Sequence, residues 1–251
     1  MLKNKIIFGF IGSLLLTFPA VAEDFGPRHW SDGVYVGFGI ARTVNVGGGM
    51  TSEYGLQSSM VGEFQPTPFQ NNNGESIQFS AGKAINDNLR LEVSYMRHSG
   101  ISTSGIEGWS DSVGDISSNT TMLNVYYNID DFIGRFWKGM FRPYVGAGIG
   151  VARNGASNWI SARSEDGRGR HIGEETRSFA YSIEGGATSE LGPNLELDIF
   201  TRWTNLGRVA SAGNSGYDEI VGGTVSHNRV TWRERGSLSV LDVGIRLRLK
   251  Y

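Results

Sequence analysis

The sequence contains no cysteine. That excludes a disulfide framework, a thiolate zinc site and a thiol nucleophile. Proline is scarce, at six residues, and charged residues make up only 19% of the chain, against about 25% in ordinary soluble proteins. Beyond residue 22 no apolar run is long enough for a membrane-spanning helix. The formal charge of −2 offers no basic surface, so no nucleic-acid partner is expected. Gly47-Gly48-Gly49 lacks the lysine of a phosphate-binding loop. Abundant instead are glycine (36) and the aromatics, 13 Phe, 9 Tyr and 6 Trp. So many rings require burial or an apolar solvent, which argues against disorder.

Residues 1–22 read as a secretory signal peptide. Lys3 and Lys5 form a positive head, Ile6 to Phe18 an apolar stretch, and Ala20-Val21-Ala22 a small-residue cleavage site. Cleavage after Ala22 removes both lysines and takes the charge from −2 to −4. The remainder, 23–251, is expected to be one exported domain with no internal repeat.

That domain alternates with period two. Eight segments place apolar or small residues at every second position. They run through Val34–Ile40, Ile77–Ala81, Leu89–Tyr95, Thr121–Tyr127, Val145–Val151, Phe179–Ala187, Leu195–Trp203 and Leu241–Tyr251, and none of the chosen positions is charged. The opposite faces carry Arg90, Glu92, Arg142, Tyr144, Glu184, Glu196, Asp198, Arg202, Asp242, Arg246, Arg248 and Lys250. Periodicity alone fits a soluble sandwich with its charges in water or a lipid-facing barrel with its charges inside. The connections favour the barrel. Short links around 85–88 and 190–194 alternate with long polar ones at 44–75, 99–118, 153–176 and 205–235, as in outer-membrane barrels with short periplasmic turns and long external loops. The fold expected is all-β, an eight-stranded antiparallel up-and-down transmembrane barrel with a polar interior.

Residues 128–140 form the longest of the short-side turns. Asp130 or Asp131 is expected to cap a short helix holding Phe132, Ile133, Phe136, Trp137 and Met140, read either as an amphipathic interfacial segment or as an irregular turn rich in aromatics. In the last two segments, counting from the turn places Glu196 near Lys250, Asp198 near Arg248 and Arg202 near Asp242. Inward glycines, Gly37 and Gly39 in the first segment and Gly146, Gly148 and Gly150 in the fifth, would leave room for arginines from across the lumen. These charges are expected to form a polar plug, with a gated ion path as the alternative.

His98-Ser99 invites an esterase reading, but adjacent strand residues point to opposite faces, so His98 would need a serine from elsewhere. His171 and His227 are far apart, and Ser164-Glu165-Asp166-Gly167 is too short for a calcium loop. No cofactor is expected. Loops 44–75 (with Tyr54, Phe64 and Phe69) and 205–235 are candidates for contact with a host or surface ligand. The second shows a hairpin pattern with its turn at Ser226-His227-Asn228.

The terminal strand 238–251 ends in alternating Val243, Ile245, Leu247 and Leu249 before Tyr251, and Phe141-Arg142-Pro143-Tyr144-Val145-Gly146-Ala147-Gly148-Ile149-Gly150 carries a Pro-Tyr-Val-Gly-Ala-Gly core. Both resemble small outer-membrane β-barrels, the group of OmpA-type transmembrane domains and opacity-type surface antigens. Tyr251 stands where such chains usually end in phenylalanine. The resemblance implies the cell outer membrane as location and outer-membrane lipids, periplasmic chaperones and the barrel-assembly machinery as partners. It makes Val243, Ile245, Leu247, Leu249 and Tyr251 an assembly signal, with no peptidoglycan-binding domain after the barrel. A structural or adhesin-type surface role without catalysis is expected. A narrow porin is one alternative. A lipid-modifying enzyme is another, although the His-x-Ser arrangement of outer-membrane deacylases is absent.

Overall fold

A computed structural model describes residues 33–55, 67–68, 74–103, 114–135, 137–157, 159–163, 167–171, 173–210, 215–221 and 224–251. The proposed signal peptide, 1–22, lies outside them, as do Phe64, Phe69 and 164–166. Twelve strands are described: β1 Val34–Gly55, β2 Thr67–Pro68, β3 Gly74–Ala84, β4 Leu89–Thr103, β5 Gly114–Asn128, β6 Phe141–Ala156, β7 Trp159–Arg163, β8 Gly167–His171, β9 Glu175–Glu190, β10 Leu195–Ala210, β11 Ser215–Val221 and β12 Thr224–Lys250. One helical turn, α1, spans Asp130–Ile133.

Eight strands, in the order β1-β3-β4-β5-β6-β9-β10-β12, pair antiparallel, and β12 returns to β1. The sheet is therefore a closed barrel without free edges, the condition for crossing lipid with strands. At the seam the Tyr251 amide donates to the Val34 carbonyl.

The two faces of the wall are inverted relative to a soluble protein. Phe38, Ile40, Ile77, Val93, Leu123, Ile149, Ile183, Ile199 and Ile245 are exposed outside, each by 44–61%. Inside, Arg90, Glu92, Glu184, Asp198, Arg202, Asp242, Arg246 and Arg248 are buried. An apolar belt of this extent is unstable in water and needs lipid around it. It includes every segment position read as outward above except the half-buried ones near the rims, such as Val36, Ala187 and Trp203.

The long connections are shorter than the sequence suggests. β1 continues to Gly55 and β12 begins at Thr224, paired out to Gly55↔Thr231. β10 runs to Ala210. The segments taken as loops 44–75 and 205–235 therefore contain strand. The hairpin in the second is also placed differently. Residues 224–230 are one continuous strand pairing with β11 out to Val221↔Thr224, so Ser226-His227-Asn228 is strand rather than turn. Above the lipid belt an outward residue no longer meets hydrocarbon. Apolar alternation disappears there while backbone pairing continues. β11 also pairs with β8, and β8 with β7, adding a second sheet at the long-loop end.

Bulges at His98/Ile101, Asn45/Gly47 and Asn205/Gly207 interrupt the ladders at similar heights. Gly100 (φ 74°) and Gly207 (φ 76°) adopt the left-handed backbone there, which favours glycine. Each bulge resets the period, so His98 and Ile101, three apart, are both buried.

The turn after β5 departs from expectation. The helix is a single turn, and its N-cap is Ile129, without a side-chain cap. The Asp130 carboxylate instead accepts from Arg142 Nε (3.0 Å) and Arg135 Nε (3.3 Å). Both arginines outcompete the helix amides because they bring charge as well as a donor. Phe132, Ile133, Trp137 and Met140 are exposed around the turn. Desolvation opposes ionisation of Asp130, but the hydrogen bond and charge of Arg142, then the bond from Arg135, outweigh it and hold its pKa below the usual carboxylate range.

Two outcomes are expected. Val93→Arg in mid-belt should cost about 2–4 kcal/mol in urea unfolding from lipid vesicles, and Leu197→Arg, nearer the short-turn rim, distinctly less. A depressed folded pKa gives stabilisation that is complete above the unfolded value, about 3.9, and lost as pH falls through the folded one. Trp137 fluorescence should therefore hold steady from neutral pH to about pH 5 and change only below the ordinary carboxylate range. In Arg142→Met the change should come at higher pH.

Candidate functional site

The lumen of an eight-stranded barrel is just wide enough for side chains to fill. Here the filling is layered. At the short-turn rim Lys250 Nζ donates to Glu196 Oε1 at 2.9 Å. One layer deeper, Arg248 reaches Glu196 (2.9 Å) and both oxygens of Asp198 (2.8 and 2.9 Å). The contacts read from the sequence are thus present, but the register behind them differs by two residues. Glu196 faces Arg248 and Asp198 faces Arg246 across the ladder. Lys250 and Arg248 reach their carboxylates diagonally, which long side chains on neighbouring strands can do.

Arg246, fully buried, occupies the centre. Its Nε donates to Asp198 (2.9 Å), Nη1 to Tyr126 Oη (3.1 Å) and Glu92 (3.4 Å), and Nη2 to Glu184 (3.0 Å) and Tyr144 Oη (3.2 Å). Arg202 donates from Nε to Glu184 (2.7 Å) and from Nη2 to Gln78 (2.6 Å), and touches Met96 Sδ. Although Arg202 and Asp242 are register partners, their side chains turn to different groups. Asp242 accepts from Thr43 Oγ1 (2.7 Å) and lies 3.0 Å from His98 Nε2. His98 is wholly buried, and no described group is hydrogen-bonded to its Nδ1. Its cross-strand neighbours on both sides are buried serines, Ser76 and Ser118, but neither is hydrogen-bonded to Nδ1.

The tyrosines are the part sequence reasoning underestimated. Tyr35 and Tyr126 fall on the inward phase of their strands, and each tyrosine hydroxyl reaches the carboxylates: Tyr35 to Glu92 (3.1 Å), Tyr126 to Glu92 (3.2 Å), and Tyr144 to Glu184 (2.8 Å). Their rings lie over glycines of the neighbouring strand. A Cβ at Gly82, Gly146 or Gly186 would strike the ring of Tyr35, Tyr126 or Tyr144 respectively. The inward glycines of β6 therefore do not make room for arginines. Gly146 seats Tyr126, Gly148 lies against Asn124 and Ser182, and Gly150 against Met122. Gly37 and Gly39, in β1, do border Arg246 and Arg248.

Above the charged layers the lumen turns apolar. Ile101, Ile116, Leu206, Leu238 and Val240, each 0–2% exposed, form one buried cluster with Met96 and Met122. The barrel is thus filled by ion pairs at the Arg246 level and above them by a largely apolar layer that also holds buried Ser118, Thr120 and Asn154. Val243, Ile245, Leu247 and Leu249 face outward in the belt, with Tyr251 exposed at the rim.

Removing one partner of a buried pair typically costs about 3–5 kcal/mol, and Asp198→Ala should fall in this range in urea unfolding. Three arginines, Arg90, Arg246 and Arg248, lie within 3.7 Å of Asp198. Adding Arg248→Ala should therefore recover less than half of the loss, because two cations still face the gap. Strict additivity of the two changes would show that they are uncoupled.

The outer membrane protein beta-barrel domain model matches residues 8–231. Among solved structures, the chain is similar to Neisserial surface protein A (NspA), at 19% identity and a TM-score of 0.48, covering 88% of this chain and 98% of that one. It is similar to the outer membrane protein OprG from Pseudomonas aeruginosa, at 12% identity and a TM-score of 0.50, covering 88% and 98%. It is also similar to the outer membrane protease OmpT from Escherichia coli, at 10% identity and a TM-score of 0.42, covering 92% and 100%. No curated protein sequence matches. The family match spans most of the chain and agrees with the closed barrel, its lipid-facing belt and its polar lumen: the chain belongs to the outer membrane protein beta-barrel domain family.

Proposed function

We propose that this protein is a non-conducting, non-catalytic outer-membrane barrel that acts through the structure at its long-loop end, in a structural or adhesin-type role. The observation that carries this reading is the filled lumen. Ion pairs close it from Arg246 up to Asp242, and Leu206, Leu238 and Val240 close it above. An ion path needs water-lined continuity, and an active site needs access. The His98–Asp242 pair has neither, being sealed between those layers.

What remains available is the long-loop end. There β1 and β12 continue the wall beyond the belt, and β11, β8 and β7 add a sheet. In outer-membrane barrels this end faces the exterior. Residues 1–22 direct export, and Val243, Ile245, Leu247, Leu249 and Tyr251 present the closing strand to the assembly machinery. Contact with a host or surface ligand falls to segments 44–75 and 205–235.

Refolded protein in planar bilayers should give no conductance steps. Steady steps would overturn the reading in favour of a narrow porin. Cells displaying the protein should adhere to matrix-coated surfaces, and replacing 211–234, beyond the Ala210↔Arg235 pair, with a tight turn should abolish adherence while the heat-shifted band of the folded barrel persists. Equal adherence with and without the protein would overturn the adhesin role.

A further inference from the structure

The short-turn end of the barrel holds a feature that a closed plug does not require. A cavity of about 660 Å³ opens there, inside the ring of short turns, and Arg90, Arg135, Arg142, Arg248 and Lys250 line it. Four of these five cations donate to an acceptor, Arg135 to Asp130. Arg248 is bound to Asp198, Thr188 and Glu196. Arg142 is bound to Asp130 and Asn88, and Lys250 to Glu196.

Arg90 is different. Its guanidinium lies against the edge-to-face pair of Tyr126 and Tyr144, 4.6 and 4.5 Å from their centroids. These ring contacts satisfy no N–H. Only 7% of the side chain is exposed, and its nearest carboxylate, Asp198, is 3.7 Å away. No described residue accepts a hydrogen bond from Nε or Nη2. Asp198 is already taken at 2.8–2.9 Å by Arg246 and Arg248.

The charge balance explains the loose pairing. In the linked lower network five cations, Arg90, Arg202, Arg246, Arg248 and Lys250, meet four carboxylates, Glu92, Glu184, Glu196 and Asp198. The one surplus positive charge falls on the arginine with unmet donors, beside an open cavity. Both nitrogens are buried, so an acceptor has to come from the cavity that Arg90 lines, and a neutral one brings no charge. An oxyanion supplies both, and a guanidinium fork matches its geometry. Asp87, Glu190 and Glu196 also line the cavity, and they disfavour an extended polyanion there.

We infer that the short-turn mouth of the barrel is a binding site for a small oxyanion, a phosphate or a carboxylate, held by the Arg90 guanidinium. The site is separate from the long-loop end and does not depend on its role.

The test is an NMR titration of the refolded full barrel in detergent micelles, following the arginine Nε–H resonances, with inorganic phosphate in one arm and acetate in the other. A saturable shift centred on Arg90 Nε–H is expected in at least one arm, and which arm responds separates phosphate from carboxylate. Arg90→Met, with folding verified by the heat-shift gel, should weaken binding about ten- to a hundredfold, the scale of a lost charged hydrogen bond. Arg153→Ala, on the exposed Arg153–Glu175 pair at the other end, should bind as the parent does. If Arg90→Met does not fold, Arg90→Lys keeps the charge but removes the fork, and should also bind more weakly. Absence of saturation in both arms overturns the assignment, as does parental affinity in a folded Arg90 variant. If neither variant folds, the titration of the unaltered protein decides.

Discussion

The governing constraint is that charges inside a closed lumen must satisfy one another. Moving an ion out of water costs several kcal/mol even after relaxation, and Arg246 has no exposed surface. It is tolerable because three carboxylates and two tyrosine hydroxyls surround it. Each of those carboxylates is in turn shared. Asp198 serves Arg248 as well, Glu184 serves Arg202 and Tyr144, and Glu92 serves Tyr35 and Gln78. The groups form one connected set, and displacing any member leaves a charge unmet on another strand.

That set fits because the wall gives way at chosen points. An eight-stranded barrel has no spare width, yet three tyrosine rings project into it together with the arginines. Gly82, Gly146 and Gly186 let those rings lie flat against the adjacent strand, a pairing of glycine with a cross-strand aromatic that also protects the exposed glycine backbone. The rings then provide the faces over which Arg90, Arg246 and Arg248 are held. Aromatic, glycine and guanidinium are therefore interdependent here, and the high glycine content has a packing role inside the wall as well as in the loops.

Much of this was legible in the chain and some was not, for reasons specific to position. Within the belt, lipid outside and charge inside impose a strict period of two, so the faces of β3, β5 and β6 could be read residue by residue. Beyond it the rule lapses. Gly47, Gly48 and Thr51 read as loop, yet they pair in β1, because backbone bonding needs no apolar face. Inward Leu206, Leu238 and Val240 escaped notice, since an apolar residue at an inward position looks like any other apolar residue once the bulges have reset the phase. The diagonal reach of Arg248 to Asp198 also hid the true register, because the same contact is compatible with two alignments. The tyrosine seats depend on which strand lies beside which glycine, information that the order of residues does not carry.

β12 is the longest strand, at 27 residues, and it is the one that seals the cylinder against β1. It also carries Arg246, Arg248 and Lys250, three of the five cations of the lower network. Until it docks, Glu92, Glu184, Glu196 and Asp198 face a gap with only Arg90 and Arg202 to compensate them, and an open sheet is left with an excess of negative charge along its inner surface. Zipping the last seam and neutralising the interior are thus a single event. A partly assembled wall is electrostatically penalised, and the final strand acts as a counterion that happens to be covalently attached.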